Sequence, residues 1–189
     1  MQPGGGNVNR REALKFFLTG GVAATLVPAW GTVAEALAAR TDLCGVLSFR
    51  NLHTDESLTL RYLDRNGRPD PAGLDRLNRL FRCPYTGEVH PIDPKLFLLL
   101  DAASCEVGAR EHTFELISGY RSPEYNALLR QKSSHVAKNS YHTRGKAADV
   151  RLEGVSLDRL RAAARRLREG GIGRYPDFVH LDVGPIRCW

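Results

Sequence analysis

Residues 140–149 read Ser-Tyr-His-Thr-Arg-Gly-Lys-Ala-Ala-Asp, and the chain continues as Val150-Arg151-Leu152. From Ala147 onward the run has the alternation of a β-strand. With Ala148, Val150 and Leu152 turned to a core, Asp149 must point to the opposite face, because successive side chains on a strand alternate. His142 lies in the loop that enters this strand. The segment therefore presents a carboxylate and delivers an imidazole seven residues before it.

A second stretch has the same logic. In Asp177 to Val183, the residues Val179, Leu181 and Val183 form an apolar row, which leaves Phe178, His180 and Asp182 on the other side. If the two strands pair in one sheet, His142, Asp149 and His180 converge. Two neutral imidazoles and one carboxylate suit Zn²⁺, with bonds of about 2.0–2.2 Å, and three protein ligands leave a fourth position open for water. Such an ion lowers the pKa of water and polarises an amide carbonyl. Hydrolysis also needs a proton acceptor within reach, and Asp177 and Asp182 are the candidates. Asp177 is favoured as the base, and Asp182 is alternatively the carboxylate that orients an imidazole. Arg121, in Ser118-Gly119-Tyr120-Arg121-Ser122, is placed to stabilise an oxyanion or to hold a substrate carboxylate. Tyr120 and Tyr141 adjoin the site as substrate contacts. His135 reads as a loop histidine, and His53, His90 and His112 as structural or exposed.

The string Ser-x-His-x-x-Gly-x-Ala-x-Asp at 140–149, Asp-x-x-His at 177–180 and Ser-Gly-Tyr-Arg-Ser at 118–122 together resemble the zinc D-Ala-D-Ala carboxypeptidase family. Phe178 to Pro185 and the closing Arg187-Cys188-Trp189 look like its exported YcbK-like murein endopeptidase branch. The resemblance covers residues 91–189 and implies the compact α+β zinc-peptidase fold shared with the signalling domain of hedgehog proteins. It implies His142, Asp149 and His180 as zinc ligands, Asp177 as general base and Arg121 as a substrate or oxyanion contact. Many relatives carry Glu where this chain has Asp177. The expected activity is zinc-dependent hydrolysis of amide bonds in peptidoglycan stem peptides or cross-links, by a murein endopeptidase or a D,D-carboxypeptidase. The alternative is a non-catalytic, zinc-containing module that binds cell wall.

Around this centre the pattern is of mixed strands and helices without regular βαβ alternation, which predicts an α+β fold with a small antiparallel or mixed sheet flanked by helices. Val46 to Phe49 and Ser57 to Tyr62 read as a hairpin. Leu74, Leu77 and Leu80 fall at helical spacing. Asp93-Pro94 and Ser122-Pro123 are cap-plus-proline helix starts, the first helix running to about Val107 with Leu96 to Leu100 deeply buried. Thr113 to Ser118 reads as a strand, and 131–144 as irregular. Ser156 caps a helix that ends at Gly170-Gly171.

The 189 residues, 42% apolar and 25% charged, suffice for one ordinary core and exclude collagen-like, coiled-coil and wholly disordered chains. The formal charge of +6 is too dispersed to indicate nucleic acid. Residues 1–38 read as a twin-arginine export signal: Arg10-Arg11, a modestly apolar run from Phe16 to Trp30, and Ala36-Leu37-Ala38 before a cleavage point. Residues 39–189 then form a zinc peptidase-like domain that is periplasmic or secreted and has no transmembrane anchor once the signal is removed. The partner that the family resemblance implies is peptidoglycan. Cys44, Cys83, Cys105 and Cys188 all follow the signal; an exported chain can join them as two bridges in any of three ways, or keep them as buried thiols.

Overall fold

A computed structural model describes residues 43–134 and 136–189 of the chain. Residues 1–38, read above as an export signal, and His135 lie outside the described residues. The elements are β1 (Val46–Asn51), β2 (Ser57–Arg61), α1 (Pro71–Leu80), α2 (Pro94–Glu106), β3 (Phe114–Ser118), α3 (Pro123–Lys132), a 3₁₀ turn (Tyr141–Arg144), β4 (Ala147–Leu152), α4 (Leu157–Leu167), β5 (Gly171–Arg174), β6 (Val179–Asp182) and β7 (Arg187–Cys188). The fold is α+β. Its strands form one mixed sheet in the order β2-β1-β3-β4-β6-β5-β7. The pairs β1–β3 and β5–β7 are parallel, and the others are antiparallel.

Local chemistry sets the helix starts. Asp70, Asp93 and Ser122 each stand before a proline at the first helical position, and their side chains accept from the backbone N–H groups of Gly73, Lys95 and Tyr125. Proline loses nothing there, because that N–H has no partner within the helix. Leu96 to Leu100 of α2 are buried, as the unbroken apolar run predicts. With α4 packed against it, α2 covers the sheet face onto which Ala148, Val150, Leu152, Val179 and Leu181 project. Each large apolar side chain sealed there is worth roughly 1.5–3 kcal/mol. The opposite face of β4 and β6 is left for polar side chains. No helix among the described residues is long and apolar enough to cross a membrane.

Three boundaries differ from the sequence reading. Helix α4 ends at Leu167 with Arg168 in the left-handed conformation, before the glycine pair, and Gly171 opens β5 instead of ending the helix. The strand expected from Asp177 begins at Val179, so Asp177 lies in the turn ahead of it. The stretch expected to be irregular contains the 3₁₀ turn that carries His142.

Candidate metal centre

Strands β4 and β6 are adjacent, and their register sets Asp149 directly opposite His180. Both side chains rise from the face away from the helices, as alternation requires. His142 arrives from the 3₁₀ turn that precedes β4. Ser140 caps this turn by accepting from the His142 N–H, and Gly145 ends it in the left-handed conformation at φ 63°. A β-carbon at Gly145 would stand 2.3 Å from the Pro91 carbonyl oxygen, so only glycine fits the exit.

The three groups meet. His142 Nε2 lies 3.2 Å from Asp149 Oδ1 and 3.2 Å from His180 Nδ1, and His180 Nδ1 lies 2.8 Å from the same oxygen. All three residues are buried. The far nitrogen of each ring is committed elsewhere. His142 Nδ1 is 2.7 Å from the Gly119 carbonyl oxygen, which can only accept, so that nitrogen carries the proton. His180 Nε2 is 3.0 Å from Asp182 Oδ2.

Asp182 is itself held. It accepts from Arg187 at 2.6 and 3.2 Å and from the backbone N–H groups of Gly171 at 3.1 Å and Gly184 at 2.8 Å. Burial alone would raise its pKa, but His180, Arg187 and the Gly184 N–H outweigh burial and bring it down to about 2. The remaining oxygen of Asp149 accepts from Arg121 Nη2, and Arg121 Nε donates to Ser118 Oγ at 2.7 Å.

These contacts divide the electrostatics of the cluster. Burial pulls His142 below the usual imidazole value and keeps that ring neutral. Burial also acts against the charge on His180, but Asp149 and Asp182 outweigh it and raise the ring above its usual value. Asp149 pays a burial penalty that His142, His180 and Arg121 more than offset, so its carboxyl is held far below the usual carboxylate range.

This donor set fits a metal ion. A neutral His142 whose proton sits on Nδ1 aims a lone pair from Nε2 at an ionised carboxylate oxygen 3.2 Å away. Two acceptors face each other in a buried place, an arrangement that a cation resolves. His180 Nδ1 adds a third donor once it gives up its proton. All the ligand atoms lie within 4.8 Å of one another.

The centre opens into a cleft of about 780 Å³. Its walls include Arg121, Asn139, Tyr141, Tyr175, Phe178 and Trp189, along with the three convergent residues. Trp189 Nε1 donates to Tyr175 Oη at 3.1 Å, and the Trp189 ring centre is 5.4 Å from that of His180. Arg187 lies over the rings of both Tyr141 and Trp189, at 5.0 and 5.1 Å.

Other sequence candidates fall elsewhere. Tyr120 is buried, donates to Glu88 at 3.0 Å and stacks on His90; it is not part of the cleft wall. Asp177 is exposed in the turn whose Tyr175, Pro176 and Phe178 do line the cleft, and its backbone carbonyl accepts from Arg151 Nε. Sequence reasoning did not assign roles to Arg187, Trp189, Tyr175 or the Gly119 carbonyl. The closing Arg-x-Trp was visible as a motif, but a main-chain acceptor leaves no side-chain signature.

The model of a family described as peptidoglycan L,D-endopeptidase MepK matches residues 39–189. The probable peptidoglycan L,D-endopeptidase MepK of Haemophilus influenzae is 43% identical over 146 residues, covering 76% of this chain and 78% of that protein. The peptidoglycan L,D-endopeptidases MepK of Escherichia coli K12 and of Shigella flexneri are each 40% identical over 189 residues, covering 97% of this chain and 98% of the relative. No solved structure gives a match.

Proposed function

Because this chain belongs to the peptidoglycan L,D-endopeptidase MepK family, with residues 39–189 spanned by the family's model, we propose that it hydrolyses peptide cross-links of peptidoglycan with one zinc ion held by His142, Asp149 and His180. The observation that carries this reading is the facing of a neutral imidazole lone pair and an ionised carboxylate in a buried pocket, with the far nitrogen of each ring already committed. Endopeptidase action on an L,D bond is chosen over D,D-carboxypeptidase action because the relatives at 40% and 43% identity carry that name over most of the chain.

Bound there, zinc supplies a Lewis acid that polarises a peptide carbonyl and lowers the pKa of water. The chain's own residues do the rest. The Gly119 carbonyl and Asp182 fix the ring tautomers, so that His142 Nε2 and His180 Nδ1 are the nitrogens available to the ion. Arg121 offsets the charge of Asp149 on the side away from the imidazoles and stands in the cleft wall, where it can meet a substrate carboxylate or a developing oxyanion. Aromatic walls from Tyr141, Tyr175, Phe178 and Trp189 exclude water from a bound peptide.

Proton transfer is assigned to Asp177. Asp182 already accepts from His180, Arg187, Gly171 and Gly184, which suits it to holding His180 and not to exchanging protons with substrate. Asp177 is exposed in the turn whose neighbours Pro176 and Phe178 line the cleft, three residues before His180. The site of action is the periplasm or the cell exterior, reached by the twin-arginine route.

The deciding experiment digests purified peptidoglycan with the zinc-loaded protein and identifies the products by mass spectrometry. Cross-linked muropeptide dimers should fall to monomers, chelation should stop the reaction, and zinc should restore it. Stoichiometric zinc with no released fragments would instead favour the wall-binding module.

A further inference from the structure

A second cluster lies away from the cleft, where β1 begins beside the last turn of α2. Cys44 Sγ and Cys105 Sγ are 4.0 Å apart, a van der Waals contact between residues 61 positions apart in sequence. Buried Asp101, one helical turn before Cys105, holds the two segments together. It accepts from the Cys44 N–H at 3.3 Å, the Gly45 N–H at 2.9 Å and the Tyr62 hydroxyl at 2.9 Å, and Cys105 Sγ approaches it at 3.5 Å. The approach of the sulfurs is thus fixed by a main-chain clamp on a buried carboxylate. The other two cysteines have different settings. Cys83 is buried with Sγ 3.6 Å from Ser122 Oγ, and Cys188 is exposed on β7.

We propose that Cys44 and Cys105 form a disulfide under oxidising conditions, cross-linking the entrance of β1 to the end of α2, while Cys83 and Cys188 remain thiols. The oxidant is a small-molecule or protein disulfide. The Cys44 thiolate attacks one of its sulfurs and releases the first thiolate. The Cys105 thiolate then attacks Cys44 Sγ of the mixed disulfide and releases the second, so two S–H bonds give one S–S bond and the oxidant leaves as two thiols. Burial and the neighbouring Asp101 push the Cys105 thiol up to about 12. A thiol of such high pKa is a poor leaving group, so the finished bond resists reduction. A metal ion held by Cys44, Asp101 and Cys105 is disfavoured, because the Asp101 oxygens already accept from two backbone N–H groups and a hydroxyl. Use of the cross-link in the cell rests on the export reading; its chemistry does not.

The test oxidises the full chain with oxidised glutathione under native conditions, alkylates the remaining thiols and maps the peptides. A Cys44–Cys105 pair lighter by two hydrogens is expected, with Cys83 and Cys188 labelled once the chain is unfolded. Closing so long a loop should raise the melting temperature by about 10 °C over the reduced form. Cys44→Ser should melt at the lower temperature whether or not reductant is present. Alkylation of both Cys44 and Cys105 after oxidation would overturn the proposal, as would pairing with Cys83 or Cys188, or protection of the two thiols by a second equivalent of bound zinc. Protein isolated from cells by acid quench separates the two readings. If oxidation in vitro forms the bond but the cellular protein carries thiols, the export reading fails and the pairing stands.

Discussion

Arg187 grips Asp182 at two points, Nη2 to Oδ2 at 2.6 Å and Nη1 to Oδ1 at 3.2 Å, directly behind the imidazole of His180. The pair fixes a carboxylate whose other task is to hold His180 Nε2 at 3.0 Å. Its influence on the centre is therefore exerted through the orientation of one ring.

Asp182→Ala should lower zinc affinity about 10- to 100-fold, the usual cost of removing the partner that orients a ligating imidazole. Arg187→Gln should act in the same direction and more weakly, since the Gly171 and Gly184 N–H groups still hold Asp182. Competition with a chromophoric chelator measures both.

The same carboxylate makes a signed prediction for acid. Its folded pKa of about 2 lies below the ordinary aspartate value of about 3.9, so the stabilisation it provides is fully present above that ordinary value. That stabilisation is lost as the pH falls through about 2. The melting-temperature gap between the metal-free wild type and Asp182→Asn should accordingly narrow between about pH 4 and pH 2.

Gly145→Ala places a methyl group 2.3 Å from the Pro91 carbonyl oxygen at a left-handed residue, so the turn carrying His142 must shift. A loss of more than about 1 kcal/mol of stability is expected. Zinc affinity should fall along with the thermal midpoint. A Gly67→Ala control, also left-handed but with open space around it, should lose stability and leave zinc binding unchanged.

For the export reading, changing Arg10 and Arg11 together to lysine should retain the protein in the cytoplasm. Cell fractionation followed by immunoblotting reads this directly, and unchanged export would remove the twin-arginine route.

Much of the centre was legible because β-alternation is strict. Once Ala148, Val150 and Leu152 face the core, Asp149 cannot, and the same holds for His180 between Val179 and Leu181. Strand β5 was not legible. Its Gly171-Ile172-Gly173 resembles a helix-ending cluster, yet the glycines are demanded by neighbours far along the chain. A β-carbon at Gly171 would stand 2.4 Å from Asp182 Oδ2, and one at Gly173 would stand 2.6 Å from the Trp189 ring. Strand β7, two residues long, offers no period to read. The turn placement of Asp177 escaped for a related reason, since alternation says nothing about where a strand begins.

The register that sets Asp149 opposite His180 has a consequence for quality control. A slip of one residue along that ladder would swing the imidazole inward and push Leu181 outward, leaving His142 and Asp149 without their third partner. Misaligned molecules should thus be inert, sparing the wall from poorly governed cutting.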